Sequence, residues 1–289
     1  MNRIFIVYYD FSITSGNHAG MTHLVKLVSK QVQEVRPIKS ISHNFRGGTL
    51  VAVIYACCLA VYFRFILKRG DKVIFFEYLT KGIAHQSLTA YLMRKLGITS
   101  PILALIHLSG DHLLELYGSK EKLIEKLKPI DKAVVFGSSL AKFIKSIGFE
   151  KEIVTTFHYA DTDFYKPAAN SKSQCELNVI CMGGLKRNFR SLRRIIEAVP
   201  EIKFHVLMGK SELKPIFGDL KNVALYSYMS ENDMFRLMKG CDASLSVLED
   251  TIGSNVITSS MATGLIQIVS DVGSIRDYCS NDDSFLCTK

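Results

Sequence analysis

Residues 251–277 read TIGSNVITSSMATGLIQIVSDVGSIRD, and this stretch decides how the chain is organised. A loop of small residues enters a short helix closed by Gly264, an apolar strand follows over 265–269, and a second turn contains Gly273. A loop that feeds a helix N-terminus at the carboxyl edge of a parallel sheet presents free backbone N–H groups and the positive end of a dipole. Its expected guest is an anion, above all a phosphate. Gly253, Ser254 and Asn255 form that turn, where Ser254 or Asn255 would also serve as an ordinary N-cap; the two roles are compatible.

Outward from this stretch the same alternation of strand and helix recurs. In the first half, β-rich runs at 4–9, 38–41, 73–76, 102–106, 133–136 and 153–157 are separated by helical patterns at 21–35, 85–96, 120–127 and one capped by Ser138 or Ser139 and closed by Gly148. Pro37 is expected to stop the first helix. The polar, proline-containing stretch 158–174 has no periodicity. The alternation then resumes, with strands at 177–182, 204–208, 223–226 and 243–248 and helices at 189–199 and 231–239. Repeated strand-then-helix units imply parallel sheets covered on both faces. The expected fold class is therefore α/β, with two Rossmann-like, doubly wound parallel-sheet domains facing a cleft. Their boundaries are expected at 1–158 and 175–289, with 159–174 as an interdomain linker.

Bulk properties agree with a packed protein. The 289 residues exceed one ordinary core, and 48% hydrophobic with 22% charged residues excludes a disordered chain. A formal charge of +9 favours anionic partners, but no block of five or six basic residues suggests a nucleic-acid arm. Seven scattered cysteines without a C-x-x-C pair support neither a disulfide framework nor a zinc site, and the short N-terminal apolar run, 4–9, is not a signal-peptide core. A cytoplasmic protein is expected. Leu50–Phe63 is an apolar run of fourteen residues followed by Arg64, Lys68 and Arg69. It falls short of the ~20 residues of a membrane span and reads as a buried helix, with an interfacial helix as the alternative.

Four segments in order carry a family resemblance. They are AVVFGSS (133–139), HYADTDFYKP (158–167), MGGLKRNF (182–189) and SNVITSSMATG (254–264). Together they resemble the GT-B glycosyltransferases, specifically the retaining family 4, group 1 type found in bacterial polysaccharide and lipopolysaccharide synthesis. The resemblance implies transfer of a sugar, of hexosyltransferase type, from a nucleotide-diphosphate donor to a glycan or lipid-linked glycan, with retention of anomeric configuration. The nucleotide sugar is then a co-substrate, with no other cofactor, no metal and no nucleic-acid partner, and a peripheral membrane contact is compatible with the charge. The family commonly carries two glutamates eight positions apart in the last segment; here Thr251 and Ser259 stand in their places. Serine is a shorter, neutral acceptor and forgoes a charge-assisted bond. Glu249 or Asp250 could supply a carboxylate from a shifted position. Family chains also continue past the equivalent of Lys289, so the second domain is expected to be incomplete at its C-terminus.

Arg187 and Lys186 after the glycine turn at Gly184 are expected to clamp the donor diphosphate, Arg187 acting catalytically on the leaving group. The competing reading is a solvated basic turn, like Arg190, Arg193 and Arg194 beyond it. Ser259 and Ser260 are expected at the donor ribose, or else as plain helix residues. Gly16 lies in the first strand-to-helix loop, which in the family approaches the donor phosphates and the acceptor; otherwise it is a plain strand-to-helix turn. His107, at a strand end, is expected to orient the acceptor hydroxyl or donor sugar; otherwise it is a hydrogen-bonded interface histidine. Asp161 and Asp163 read as turn residues. Two other readings stay open: a nucleotide-sugar-binding protein of the same fold that is weakly active or inactive, and a sugar-nucleotide epimerase.

Overall fold

A computed structural model describes residues 2–12, 16–83, 85–168, 176–207, 209 and 212–288. Residues 169–174 of the expected linker and Ser15 beside Gly16 lie outside the described residues. The chain divides into two compact units, Met1–Phe157 and His158–Lys289.

The first unit holds β1 (Ile4–Tyr8), α1 (Gly20–Gln31), β2 (Val35–Lys39), α2 (Gly48–Ile66), β3 (Lys72–Phe75), α3 (Gln86–Lys95) and β4 (Ile102–Ile106). Next come α4 (Gly110–Tyr117), α5 (Lys120–Leu127), β5 (Lys132–Phe136), α6 (Ser138–Ser146) and β6 (Glu152–Thr156). Its six strands are all parallel, in the order β2-β1-β3-β4-β5-β6. Strands such as ILALI in β4 are apolar on both faces because helices cover both sides of such a sheet.

The second unit holds β7 (Asn178–Met182), α7 (Phe189–Ala198), β8 (Lys203–Leu207), α8 (Lys214–Phe217), β9 (Val223–Tyr226) and α9 (Glu231–Gly240). It continues with β10 (Ala243–Ser246), α10 (Asn255–Ala262), β11 (Ile266–Ser270), a 3-10 turn at Ile275–Asp277 and β12 (Ser284–Cys287). The sheet is again all parallel, in the order β12-β11-β10-β7-β8-β9. Counted within the unit this is the dinucleotide-fold order, with the first and fourth strands adjacent. Its core packs Cys181, Leu192, Ile196, Phe204, Val206 and Phe217 on one side of the sheet.

Four sequence expectations change. Pro37 does not stop a helix: α1 ends at Gln31, and Pro37 sits inside β2, an edge strand where its missing N–H is tolerated. Neither Ser138 nor Ser139 is the cap of α6; Gly137, at φ 79°, takes that place. Residues 159–168 are built into the second unit, not strung out as a free linker. Tyr165 is buried in its core and donates to Glu231 Oε1 at 3.1 Å, and Thr258 Oγ1 donates to the Tyr159 carbonyl at 2.9 Å. Finally, the apolar run read as a buried helix is buried on one face only. Ala52, Ala56, Leu59, Ala60 and Phe63 of α2 pack inward, while Leu50, Val51, Ile54, Val61, Tyr62 and Phe65 are exposed.

Candidate functional site

In the second sheet the strand order reverses between β7 and β10, and ligands bind such sheets at the carboxyl ends of the strands flanking that switch point. Two chain segments converge there. After Met182 the chain turns at Gly183 (φ 84°), passes Lys186 in a left-handed conformation (φ 52°), and folds back on the extension of β10. Arg187 and Leu248 form an antiparallel bridge, Asn188 N donates to the Val247 carbonyl at 3.0 Å, and Glu249 N donates to the Lys186 carbonyl at 2.9 Å. A lysine in left-handed geometry costs on the order of 1 kcal/mol, and the bridge on both sides of it holds the turn in place.

Arg187 is the unusual member. Its Nε and Nη1 are shut off from solvent and have no hydrogen-bond partner. Burial pulls the guanidinium pKa down to about 10, opposed by the adjacent Cys181 thiol, which burial itself pushes up to about 12. A side chain on Gly183 would stand 3.1 Å from Arg187 Nη2 and 3.5 Å from Val256 Cγ2. The guanidinium and the first turn of α10 are therefore neighbours across a position whose positive φ favours glycine and where a Cβ would crowd the guanidinium. Charges buried without partners are expensive, so an unsatisfied guanidinium at a switch point marks a place for an anion.

The other half of the site is the α10 N-terminus. Ser254 is its N-cap, with Oγ accepting from Ile257 N. Thr251 Oγ1 accepts from Gly253 N at 2.9 Å, and Asp250 Oδ1 accepts from Thr251 N at 2.8 Å. Gly253 (φ 90°) lies flat against Tyr278, where a Cβ would come within 2.2 Å of the ring. Tyr278 Oη donates to the Ile252 carbonyl at 3.2 Å and accepts from His158 N at 3.0 Å, while His158 Nδ1 lies 3.1 Å from Asn255 Oδ1. The loop is thus fixed from both sides. Among the described residues, the amides of Asn255 and Val256 in the first turn find no acceptor. Free amides and a dipole end near an unpaired guanidinium are the elements an oxyanion cradle needs.

The expected site residues separate cleanly. Gly184, Lys186, Arg187, Gly253, Ser254 and Asn255 come together on these two segments. Ser260 does not belong: it is fully buried against the sheet, with Oγ donating to Ser244 Oγ at 3.3 Å, because position 260 lies on the sheet-facing side of α10. Ser259 is also buried and returns its hydroxyl to the carbonyls of Asn255 and Val256, the usual local competition of serine in a helix. Of the two acids weighed as substitutes for the family's carboxylates, Asp250 is spent on the turn. Glu249 is exposed and anchored through its backbone to Lys186. Asp161 serves as a turn residue, its Oδ1 accepting from Asp163 N and Phe164 N.

The first unit has its own switch point between β1 and β3. Gly16 (φ 77°) lies in the loop after β1. His107 follows β4, and its Nε2 is 2.9 Å from Glu77 Oε2. Glu77 follows β3, is buried, and has a left-handed backbone (φ 62°), as does Leu79 (φ 70°). Desolvation works against protonation of His107, but the charge and hydrogen bonding of Glu77 prevail and raise its pKa. Sequence reasoning passed over Glu77 and Tyr278. Glu77 had left a signal, since it is the one acid inside the apolar run VIFFEYL.

No known family profile matches the chain, and no curated protein matches it in sequence. Solved structures do match. An α,α-trehalose 6-phosphate synthase from Burkholderia multivorans superposes with a TM-score of 0.72 at 12% identity, covering 100% of this chain and 86% of that one. The fold is GT-B. Within this GT-B group, the lipopolysaccharide outer core galactosyltransferase WaaB (TM-score 0.69, 15% identity) and the sucrose-phosphate synthase of Thermosynechococcus elongatus (0.74, 10%) each match 100% of the chain over 86% of their own length.

Proposed function

We propose that this GT-B protein is a cytoplasmic glycosyltransferase that binds a nucleotide-diphosphate sugar in its second unit and transfers the sugar to a hydroxyl of a glycan or lipid-linked glycan. The observation that carries this reading is Arg187, buried on two nitrogens without a partner, across Gly183 from the open N-terminus of α10. In that cradle the guanidinium and the amides of Asn255 and Val256 take the diphosphate oxygens. They stabilise the negative charge that grows there as the sugar–oxygen bond breaks. Lys186, held beside it, adds a second cation. Glu249, exposed and tied by its backbone to Lys186, is the acid assigned here to the donor sugar, in place of the acids that Thr251 and Ser259 lack. In the first unit, His107, oriented by Glu77, is suited to hold the acceptor hydroxyl. Departure assisted by fixed charges, with attack from the same face, retains configuration and needs no covalent nucleophile.

A second reading rests on one specific observation. Thr251 and Ser259 both spend their hydroxyls inside the protein. Loss of two acids, with no direct replacement at their positions, favours a protein that binds the nucleotide without turning over the sugar. Thermal stabilisation across UDP, GDP, ADP and CDP, followed by hydrolysis of the matching nucleotide sugars, separates the two. We expect one base to raise the melting temperature and its sugar to be released. Binding without release over a broad acceptor panel supports the second reading, and no stabilisation by any of the four overturns both.

A further inference from the structure

The outward face of α2 is apolar along its whole length. Leu50, Ile54, Cys58, Val61 and Phe65 follow one another at spacings of three and four, which places them on one stripe, and Leu50 (66%), Ile54 (54%) and Phe65 (82%) are strongly exposed. Val51, Cys57 and Tyr62 widen it, and the only charged residue in the helix is Arg64, at its C-terminal end. The helix is 19 residues long, about 28 Å at 1.5 Å per residue. Its other face belongs to the protein core: Phe63 meets Phe5 edge-on at 5.7 Å, and Tyr55 Oη donates to the Lys39 carbonyl at 3.1 Å. It is therefore shaped to lie on an apolar medium, not to cross one.

Charge says which medium. Met1–Phe157 holds 21 of the 36 Lys and Arg and 11 of the 27 Asp and Glu, a net +10, leaving 15 and 16, a net −1, in the second unit. Between Lys39 and Lys95 the only acids are Asp71 and Glu77. Both are buried, Asp71 paired with Arg3 and Glu77 against His107. The exposed charges of that stretch are all positive, among them Arg46, Arg64, Lys68 and Arg69 at the two ends of the stripe. On α3, Lys95 reaches over the ring of exposed Tyr91 at 5.5 Å. A second copy of this chain would bring a second net +10 unit against the first, and the stretch from Lys39 to Lys95 offers no exposed acid to answer it, so self-association through this face is disfavoured. An apolar stripe with cations at both ends, Phe45 exposed before it and Tyr62 and Phe65 exposed at its far end, matches the boundary of an anionic bilayer.

We infer that the exposed face of α2 docks the first unit on an anionic lipid surface as an interfacial helix, with Arg46, Arg64, Lys68 and Arg69 on the headgroups. Docking uses neither the phosphate cradle nor His107 and stands whether or not the protein is a transferase.

Co-sedimentation of the full chain with vesicles of phosphatidylcholine alone, or of phosphatidylcholine mixed with phosphatidylglycerol, tests this. The wild type should pellet with the anionic vesicles at low salt and much less with neutral ones. It should lose affinity about tenfold or more in ~1 M salt, where the Debye length is ~3 Å. Ile54→Glu/Val61→Glu, both surface changes, should abolish pelleting at an unchanged melting temperature. Arg64→Glu/Lys68→Glu/Arg69→Glu should remove the preference for anionic lipid. The proposal is overturned if the wild type stays in the supernatant with anionic vesicles at low salt, or if the Ile54/Val61 variant pellets equally well. It is also overturned if the wild type is a dimer that this variant dissolves and no vesicle binds.

Discussion

The two switch points of this molecule hold opposite kinds of buried charge. In the first unit, Glu77 is buried in ion-pair contact with the imidazole of His107 at 2.9 Å, at an angle outside good hydrogen-bond geometry, so it is countercharged within the protein. In the second, Arg187 is buried on two nitrogens with no partner. Both sit where α/β sheets bind ligands, so position alone does not separate them. Completion does. A carboxylate answered within the protein holds a side chain in place, whereas a guanidinium left unanswered is a site whose other half arrives with the ligand.

The sharpest way to break this comparison is to remove one member from each place. Replacing His107 by Ala strands the Glu77 carboxylate, and unfolding in denaturant should show a loss of about 2–3 kcal/mol, less than for a fully enclosed pair because His107 keeps 23% exposure. Arg187→Met should act the other way in the ligand-free protein. Taking away an unpaired buried cation while keeping apolar bulk leaves stability unchanged or raises it by about 1–2 kcal/mol. Should Arg187→Met destabilise the free protein as much as His107→Ala, the contrast fails.

A smaller effect concerns pH. His107 has a raised pKa in the folded state, so its share of stability is full below the ordinary histidine value near 6.5 and is lost as the pH climbs through the raised value. Above that, Glu77 is left buried beside a neutral ring. The stability of wild type relative to Glu77→Gln should therefore fall with rising pH across this window, by about 1–2 kcal/mol in total. A flat difference would mean that the protonation of His107 is not coupled to Glu77 across this window.

The smallest expected change lies at Ser260. Because its hydroxyl meets only Ser244, Ser260→Ala should cost at most ~1 kcal/mol and leave nucleotide affinity untouched. A tenfold drop in affinity would return Ser260 to the site.

Much of this architecture is legible in the sequence, for physical reasons. Short apolar runs such as ILALI and AVVF suit a strand covered on both faces, and Gly97, Gly148 and Gly264 end helices in a left-handed geometry that few other residues take up. The turn proposed to hold phosphate is legible because Gly183, Arg187 and the small loop before α10 each state a backbone or charge requirement locally. What was not readable depends on which side of a helix faces the sheet. Ser259 and Ser260 are adjacent in sequence, one bonding back along α10 and the other into β10, and no local pattern distinguishes them. The same holds for α2, where an apolar run does not reveal that only half of it is covered. Helix α4 is absent from the expected helices, and Ser109 enters it without a side-chain cap.

The most direct test is titration calorimetry of the stabilising nucleoside diphosphate into wild type and Arg187→Met, with both proteins shown to be folded by their melting curves. If the cradle is the phosphate site, the wild type binds saturably and the variant loses affinity by about thirtyfold or more, the loss of one charge-assisted, desolvated contact worth about 2 kcal/mol or above. Equal affinity in the two proteins would contradict the assignment of Arg187 to the phosphate and, with it, the account of the second unit.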